Sequence, residues 1–479
     1  MTGALARGNP TQDRDPLLSM LEARSVAVVG ASARVGSFGH RMVSELARST
    51  APIELHLVNP RYDAVLGHAC VPSLADLPDA VDLVLLGVRD AALEAVLERA
   101  AERGDKSAVI FGSAHELGNP AQPSLRERLA AIAGRANMAL CGGGCMGFVN
   151  LDYGLRAIGY LEPDPLPRGP VAFITHSGSA FSALLRSQRR IGFTLAVSSG
   201  QELVTSAASY IDYALDLPGT GIVALLLETL REPAALRAAL ARAAEREIPV
   251  VALTVGGSPT GRAMVAAHSG ALAGDDGAWE ALFEAFGVLR VRDLDEMTDT
   301  LELFASGRRA PATPGGGGIA TVHDSGAERA LVVDLADALD VPFAPISGVT
   351  HERLAELLDP GLEPGNPLDA WGTGADAQRV FAGSLLALAA DEAVAAVALC
   401  VDLVPEFDDD IETQLAVTEA FESTTKPVAV LSNLHSAIDP GAAARIRSAG
   451  VPVLEGTRTG LLAMKHLLEW RDGLVFDRS

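Results

Sequence analysis

Short runs of β-branched and leucine residues alternate with Ala/Leu-rich helical stretches along most of this chain. The first seven apolar runs span residues 26–29, 53–58, 83–88, 108–111, 171–174, 221–227 and 250–255. This alternation is typical of βαβ units, in which helices connect parallel strands. Runs that are apolar at every position require cover on both faces of the sheet. The sequence therefore predicts a doubly wound α/β architecture.

Two Pro/Gly-rich segments, residues 163–170 and 307–318, interrupt the alternation. Such clusters are typical of linkers, and 479 residues are too many for one ordinary hydrophobic core. We predict three domains, over residues 16–163, 168–306 and 318–479, with a linker over residues 307–317. The third domain repeats the pattern, with predicted strands at residues 319–322, 394–400, 428–431 and 451–453.

Composition and charge exclude several classes of protein. Asp and Glu outnumber Lys and Arg by 61 to 38, so the formal net charge is −23. Nucleic-acid binding needs clustered Lys and Arg, so nucleic acid is not expected as a partner. No apolar stretch reaches the roughly 20 residues that span a bilayer, and the polar N-terminus lacks the pattern of a secretory signal. We expect a cytoplasmic protein without a membrane segment.

The cysteines predict neither a disulfide framework nor a metal site. Only four occur in the chain, and none forms a Cys-x-x-Cys pair: Cys70, Cys141, Cys145 and Cys400. Structural zinc sites use such pairs, and disulfide-rich proteins have a far higher density of cysteine. We expect reduced cysteines and no bound metal.

A glycine-rich turn joins the first predicted strand to a helix over residues 40–48. Glycines at such a turn let a phosphate approach the backbone at the start of a helix. The spacing differs from the G-x-G-x-x-G of dinucleotide-binding domains, and the next strand ends in Val58-Asn59-Pro60 without an acidic residue. An NAD-linked dehydrogenase is therefore disfavoured. A tight turn without a ligand remains an alternative.

A second candidate site is the segment of small residues over 261–274, which surrounds His268. We predict a loop there, following the strand at residues 250–255. A neutral imidazole can accept a phosphoryl group near pH 7 and pass it onward. The sequence thus indicates a phosphate carrier, although a single histidine in a loop is more often structural.

The Gly-Ala-Ser…Gly-Ser-x-Gly turn resembles the CoA-binding domain of the succinyl-CoA ligase and ADP-forming acyl-CoA synthetase superfamily. The resemblance implies an N-terminal Rossmann-like CoA-binding domain followed by two flavodoxin-like domains. It also implies that the residues that contact CoA are Gly30, Ser32, Arg34, Gly36, Ser37, Gly39, Asn59, Pro60, Gly87 and Val88. Gly144 departs from the family pattern, which has Asn at this position.

The segment around His268 resembles the phosphohistidine loop of this superfamily, Ser-His-Thr-Gly-Ala-Leu-Ala-Gly. The resemblance implies that His268 is the residue that is phosphorylated. Ala267 replaces the Ser and Ser269 replaces the Thr, and Val255 follows Thr254 where relatives often carry Lys. The resemblance further implies phosphate contacts from two small-residue turns, at Ser177, Gly178, Ser269 and Gly270.

A carrier imidazole needs an acceptor on its other ring nitrogen. Glu202 matches the Glu of the family's Gly-Asn-Glu turn and is our first candidate, and Glu228 at the end of a strand is the second. His176 stands where other members often have Gln. It could be a second catalytic histidine, but a histidine in a loop is more often structural or solvated.

Two motifs of the third domain have less specific interpretations. Asn366-Pro367-Leu368-Asp369 resembles the Asn-Pro-x-Asp element of the family's C-terminal α/β domain. His323-Asp324-Ser325-Gly326 could hold a phosphate or could simply cap a helix.

The resemblance implies an α-type subunit of an ADP-forming acyl-CoA synthetase. Such an enzyme joins a carboxylic acid to CoA through a phosphohistidine and an acyl phosphate. No nucleotide-binding module follows the third domain in this sequence. A separate ATP-grasp β-type subunit is therefore expected to bind ATP, ADP and Mg²⁺ in a hetero-oligomer. The alternative is a non-catalytic CoA-binding or regulatory protein of the same fold.

Overall fold

A computed structural model describes residues 14–116, 123–269, 276–314, 317–407 and 410–473. The chain divides into two compact units. The first comprises Met1–Ser187, Gly192–Ile248 and Thr254–Phe286, and the second comprises Gln188–Ile191, Pro249–Leu253 and Gly287–Ser479. Both units have α/β structure.

The first unit begins with a seven-stranded sheet of order β3-β4-β2-β1-β5-β6-β7. Its strands are β1 (Ser25–Val29), β2 (Glu54–Val58), β3 (Ala64–Val65), β4 (His68–Val71), β5 (Leu83–Leu86), β6 (Ser107–Ile110) and β7 (Ala139–Gly142). Its helices are α1 (Pro16–Leu21), α2 (Phe38–Leu46), α3 (Asp90–Arg103) and α4 (Leu125–Arg135). Only the short β3 is antiparallel to its neighbour.

The carboxyl ends of β1, β2 and β5 lie side by side. Val29 pairs with Val58 on one side and with Leu86 on the other. All residues of β5 and most of β1 are buried, as expected for strands covered on both faces. The turn that follows β1 is therefore flanked by the residues that follow β2 and β5.

The first unit also contains five strands in the order β12-β10-β11-β8-β9. They are β8 (Gly147–Asn150), β9 (Leu155–Ile158), β10 (Arg168–Thr175), β11 (Phe193–Ser198) and β12 (Ile222–Leu227). The helices that follow are α5 (Gly178–Leu185), α6 (Ala207–Asp216), α7 (Pro233–Glu245), α8 (Pro259–Ser269) and α9 (Asp276–Phe286). β8 is antiparallel to both β11 and β9, so this sheet is mixed rather than wholly parallel.

Charged residues buried between β9, α2 and α5 connect two helices whose starts are candidate sites. Glu45 of α2 accepts a hydrogen bond from Arg156 Nε at 2.7 Å and one from the N–H of Glu162 at 3.1 Å. The carboxylate of Glu162 in turn accepts hydrogen bonds from Ser182 Oγ of α5 and from Nε of its C-cap residue Arg186, both at 2.7 Å. Buried charges need such partners, so this network fixes α2 and α5 in place.

The second unit contains all but the last residue of β13 (Val250–Thr254), which pairs in parallel with β14 (Leu289–Val291), and helix α10 (Leu294–Ala305). It also contains a parallel sheet of order β16-β15-β17-β18-β19. The strands of that sheet are β15 (Gly318–His323), β16 (Leu368–Asp369), β17 (Val394–Cys400), β18 (Val428–Leu431) and β19 (Val453–Leu454). Its helices are α11 (Gly326–Ala338), α12 (Gly348–Leu357), α13 (Ala377–Ala390), α14 (Glu412–Ser423), α15 (Pro440–Ser448) and α16 (Thr457–Gly473).

A buried ion network joins α10 to the end of the five-stranded sheet. Glu302 has no exposed surface and forms ion pairs with both Arg189 and Arg447. Glu302 also accepts the N–H of Val453 at 3.0 Å, and Glu455 pairs with both arginines. Removing one partner of such a buried network leaves an uncompensated charge, which typically costs about 3–5 kcal/mol.

The turn after β15 is a capped helix start surrounded by acidic groups. Ser325 is the N-cap of α11, and its hydroxyl accepts the N–H of Glu328 at 3.4 Å. Burial, and then the charge of Glu328, raise the pKa of Asp324 to about 6, and the charges of Asp402 and Asp369 add to the effect. These carboxylates oppose an anion here. The structure therefore favours the helix cap over a phosphate site.

His323 and Asp324 should make opposite contributions to the pH dependence of stability. Burial, and then the charge of Arg329, lower the pKa of His323 from 6.5 to about 4. Between pH 6.5 and about 4, His323 is protonated in the unfolded chain but not in the folded chain, so acidification favours unfolding. Asp324 does the reverse, because between pH about 6 and 3.8 its folded carboxyl is protonated and its unfolded carboxyl is not.

We therefore expect Asp324→Asn to make the free energy of unfolding fall more steeply from pH 6.5 to 4 than it does in the wild type. His323→Asn should make the fall less steep, whatever its effect on stability at pH 7. Urea unfolding at several pH values measures these slopes. Parallel slopes for the three proteins would contradict the assignment.

The predicted α/β fold class is confirmed, and most predicted strands lie within two residues of the observed ones. All four cysteines are free thiols, and three of them are buried. Among the described residues, none of the helices has both the length and the apolar character needed to span a membrane. Within the same ranges, no cluster of His, Cys, Asp and Glu is arranged to hold a metal ion.

Candidate functional site

The glycine-rich turn lies between β1 and α2. Ser37 is the N-cap of α2: its hydroxyl accepts the N–H of His40 at 3.3 Å and donates to the carbonyl of Arg34 at 2.6 Å. Ser32 Oγ accepts the N–H of Arg34 at 3.2 Å. Arg34 and Gly36 are exposed at the tip of the turn. An exposed guanidinium beside the start of a helix suits a phosphate-bearing ligand such as CoA.

The ends of the two neighbouring strands flank this turn. Asn59, after β2, donates from Nδ2 to the carbonyl of Ala31 at 2.6 Å. Gly87, after β5, donates its N–H to the carbonyl of Val29 at 2.9 Å. Pro60 and Val88 follow directly. The residues predicted to contact CoA therefore lie together at one edge of the sheet, and their contacts with CoA remain a prediction.

Two glycines of the turn are required because backbone segments approach each other closely. A Cβ on Gly39 would lie 2.0 Å from the carbonyl oxygen of Gly30. A Cβ on Gly30 would lie 2.4 Å from the carbonyl oxygen of Gly87, and Gly30 also has a φ of +93°. Any side chain at Gly39 or Gly30 would push the turn away from the strands.

Helix α5 begins at the second candidate site. Ser177 is its N-cap: the hydroxyl accepts the N–H of Ala180 at 3.2 Å, and the N–H of Ser177 donates to Thr175 Oγ1 at 2.9 Å. Gly178 is the first helical residue, and no acidic residue occurs in the first turn. The free N–H groups of such a helix start can hold an anion, as predicted for Ser177 and Gly178.

His176, next to this cap, is buried and makes two hydrogen bonds. Its Nδ1 accepts the backbone N–H of Glu228 at 3.0 Å, and its Nε2 lies 3.0 Å from Oε1 of Glu202. Because Nδ1 accepts, the ring proton is on Nε2 and is donated to the carboxylate. Neither nitrogen has a free lone pair. His176 in this arrangement cannot act as a nucleophile.

Glu202 is held in a constrained turn. Its φ is +50°, in the left-handed region, and its Oε1 also accepts a hydrogen bond from Ser199 Oγ at 3.1 Å. No described residue donates to Oε2. Left-handed conformations of residues other than Gly cost about 1–3 kcal/mol and cluster at functional sites. The structure thus places Glu202 against His176, and its predicted contact with His268 remains a prediction.

The turn of residues 199–202 packs directly against the glycine run at residues 142–144. The N–H of Gln201 donates to the carbonyl of Gly143 at 2.9 Å, and the N–H of Leu203 donates to the carbonyl of Gly142 at 3.0 Å. A Cβ on Gly200 would lie 2.4 Å from the carbonyl oxygen of Gly143. The glycines therefore allow two backbone segments to meet.

The described part of the segment predicted as a loop around His268, residues 261–269, is helical. Helix α8 extends from Pro259 to Ser269, and Val265 on it is buried. A run of small residues with Ala, Met and Val has adequate helix propensity, which outweighed the flexibility suggested by glycine. Gly270 lies outside the described residues, as do the side chains of His268 and Ser269. Their predicted roles therefore remain predictions.

Three residues of this site were not predicted from the sequence. Ser199 binds Glu202, Gln201 donates from Nε2 to the carbonyl of Ser113 at 3.2 Å, and Arg231 donates to the carbonyl of Gln201 at 3.0 Å. The only available signal was that Ser199 and Gln201 are close to Glu202 in sequence. No signal in the sequence pointed to Arg231, because it follows a different strand.

Two protein-family models match the chain. The model of a CoA-binding domain matches residues 24–150, and the model of a succinyl-CoA ligase-like flavodoxin domain matches residues 168–304. An ADP-forming acetate–CoA ligase of Methanocaldococcus jannaschii is 30% identical over 352 residues, which is 73% of this chain and 48% of the relative. The chain thus contains a CoA-binding domain and a succinyl-CoA ligase-like flavodoxin domain, and ADP-forming acetate–CoA ligases are among its homologues.

The relatives that resemble this chain fall into two classes of length. The chain spans about half the length of the first curated relatives it matches, 48% and 52%. The α subunit of the ADP-forming acetate–CoA ligase I of Pyrococcus furiosus is 23% identical over 467 residues, which is 95% of this chain and 97% of the subunit. The relatives of this chain thus include both longer proteins and a separate α subunit.

Two solved structures have the same fold as this chain. A dinucleotide-forming acetyl-coenzyme A synthetase 1 of Ca. Korarchaeum cryptofilum, in complex with phosphate and ADP, superimposes with a TM-score of 0.83. The superposition covers 96% of this chain and 98% of that chain at 21% identity. PH0766 of Pyrococcus horikoshii superimposes with a TM-score of 0.78, covering 96% and 100% of the two chains at 22% identity.

Proposed function

We propose that this chain is the α-type subunit of an ADP-forming acyl-CoA synthetase and that a separate ATP-grasp β-type subunit binds ATP and Mg²⁺. The two matched domain types and the relatives of both lengths support this proposal. The substrates are a carboxylic acid and CoA, and the complex is a cytoplasmic hetero-oligomer.

In the proposed reaction, an imidazole nitrogen of His268 attacks the γ-phosphorus of ATP and ADP leaves. A carboxylate oxygen of the acid then takes the phosphoryl group and frees the imidazole. The CoA thiol attacks the resulting acyl phosphate, the thiol proton is lost, and inorganic phosphate leaves. The scheme thus replaces one difficult condensation by three easier displacements.

Each candidate group has one role in this scheme. The turn of Gly30 to Gly39 and the flanking strand ends hold the phosphates of CoA. The helix start at Ser177 and Gly178, together with Ser269 and Gly270, holds the phosphoryl group, because its N–H groups are fixed before the charge arrives. Glu202, or in its place Glu228, orients the imidazole of His268.

The observation that carries the proposal is the direct contact between the two matched domain types. The end of β7 in the CoA-binding domain hydrogen bonds to the turn that contains Glu202 in the flavodoxin-like domain. The carboxyl edges of both sheets therefore meet, which is where open α/β sheets bind their ligands. An acyl group made at one edge can reach a thiol held at the other.

The test is an assay of the purified chain with an ATP-grasp protein from the same cells. We expect ADP release and acyl-CoA formation that require ATP, Mg²⁺, CoA, a carboxylic acid and both proteins. Each protein alone provides the control. CoA binding by this chain without acyl-CoA formation across a panel of acids would instead support a non-catalytic CoA-binding protein.

A further inference from the structure

His176, which is buried and paired with Glu202, has no role in the reaction as described so far. Both residues have less than a tenth of their surface exposed. The pair lies where three strand ends meet, since His176 follows β10, Glu202 follows β11 and the N–H bound by His176 belongs to Glu228 after β12. A neutral imidazole and a carboxylate are costly to bury at such a place unless each has partners.

The hydrogen bonds distinguish the two oxygens of the Glu202 carboxylate. Oε1 accepts from both His176 Nε2 and Ser199 Oγ, at 3.0 and 3.1 Å. Oε2 receives no hydrogen bond from any described residue and is absent from the buried polar atoms that lack partners. One oxygen is therefore fixed by the protein, and the other is available to an incoming group.

Both ring nitrogens of His176 are hydrogen bonded, and together these bonds fix the orientation of the ring toward Glu202. The N–H of Glu228 occupies Nδ1, so the proton must stay on Nε2 and point at Glu202. The hydrogen bonds from His176 Nε2 and Ser199 Oγ then hold Oε1 of Glu202 in place. In metal sites, groups that orient a ligand in a comparable way typically affect activity by about 10–100-fold, and we expect an effect of the same order here.

We propose that His176 is a positioning residue, which together with Ser199 holds Oε1 of Glu202 and thereby leaves Oε2 to orient the carrier histidine of the proposed function. The inference rests on the proposed function and deepens it. His176 itself is not phosphorylated, because neither of its nitrogens has a free lone pair. Its contribution is made through Glu202.

A pair of matched substitutions separates positioning from packing. In His176→Gln the longer amide can accept the N–H of Glu228 and still donate to Glu202. In His176→Asn the shorter amide can accept the N–H of Glu228 but does not reach Glu202. We expect His176→Asn to slow phosphorylation of the chain by ATP and the β-type subunit by about 10–100-fold. We expect His176→Gln to restore most of that rate.

The readouts also separate this inference from the proposed function. The dissociation constant for CoA should be unchanged in both variants, and thermal melting should show that both fold. Equal phosphorylation rates for the wild type, Asn and Gln proteins would overturn the positioning role while leaving the proposed function intact. Equal losses in the Asn and Gln variants would also overturn it. If the wild-type chain is not phosphorylated, the proposed function itself fails.

Discussion

His268→Ala is expected to abolish phosphate labelling of this chain when labelled ATP, Mg²⁺ and the β-type subunit are supplied. Alanine removes the only proposed nucleophile, and His176 cannot replace it, because its Nδ1 accepts the N–H of Glu228 and its Nε2 donates to Glu202. Acyl-CoA formation should fall to background with the labelling. Autoradiography of the separated subunits measures the first effect and a thioester assay the second.

A matched control lies on the same helix. Met264 of α8 is two-thirds exposed, so Met264→Ala should leave both labelling and acyl-CoA formation near the wild-type level. His268→Ala should also retain wild-type affinity for CoA, since the glycine-rich turn is unaltered. Labelling of the His268→Ala protein at the wild-type level would show that another residue carries the phosphoryl group.

Gly39→Ala is expected to weaken CoA binding about tenfold or more. The new Cβ would lie 2.0 Å from the carbonyl oxygen of Gly30 and 3.0 Å from the N–H nitrogen of Ser32. Both contacts are with backbone, so the turn must move. Overpacking of this kind costs about 1–3 kcal/mol, and about 1.4 kcal/mol corresponds to a tenfold change in affinity. Isothermal titration with CoA measures the effect.

Gly134→Ala provides the control for this substitution. Gly134 is on α4 of the same sheet domain, and a Cβ there would meet nothing within 4 Å. Its affinity for CoA should match that of the wild type, and its stability should be equal or slightly higher. If Gly39→Ala and Gly134→Ala bind CoA equally well, the turn does not form the CoA site.

The fold could largely be predicted because the strands of a doubly wound sheet are apolar at every position. Ile222–Leu227 and Val394–Cys400 are examples, and each is wholly buried. The mixed character of the second sheet was not predictable in this way. β8 and β9 are only four residues long, and β8 begins in a glycine-rich segment. Their place depends on pairing with β11, which is distant in sequence.

The candidate site was predictable where one segment supplies it and not where several segments meet. The glycine-rich turn could be identified because strand, turn and helix are consecutive in sequence. The His176–Glu202 pair could not, because it joins residues 26 positions apart through a tertiary hydrogen bond. The role of the glycine run near Gly143 could not be predicted for the same reason. Its function is to accommodate a turn that lies nearly 60 residues later in the sequence.

The account depends on where the phosphoryl group resides in the wild-type chain. The most direct measurement is mass spectrometry of its tryptic peptides, kept at alkaline pH, after incubation with ATP, Mg²⁺ and the β-type subunit. We predict one phosphoryl group on the peptide that begins at Ala263, located at His268. A phosphoryl group on the peptide containing His176, or a fully active complex without phosphate at His268, would contradict the account.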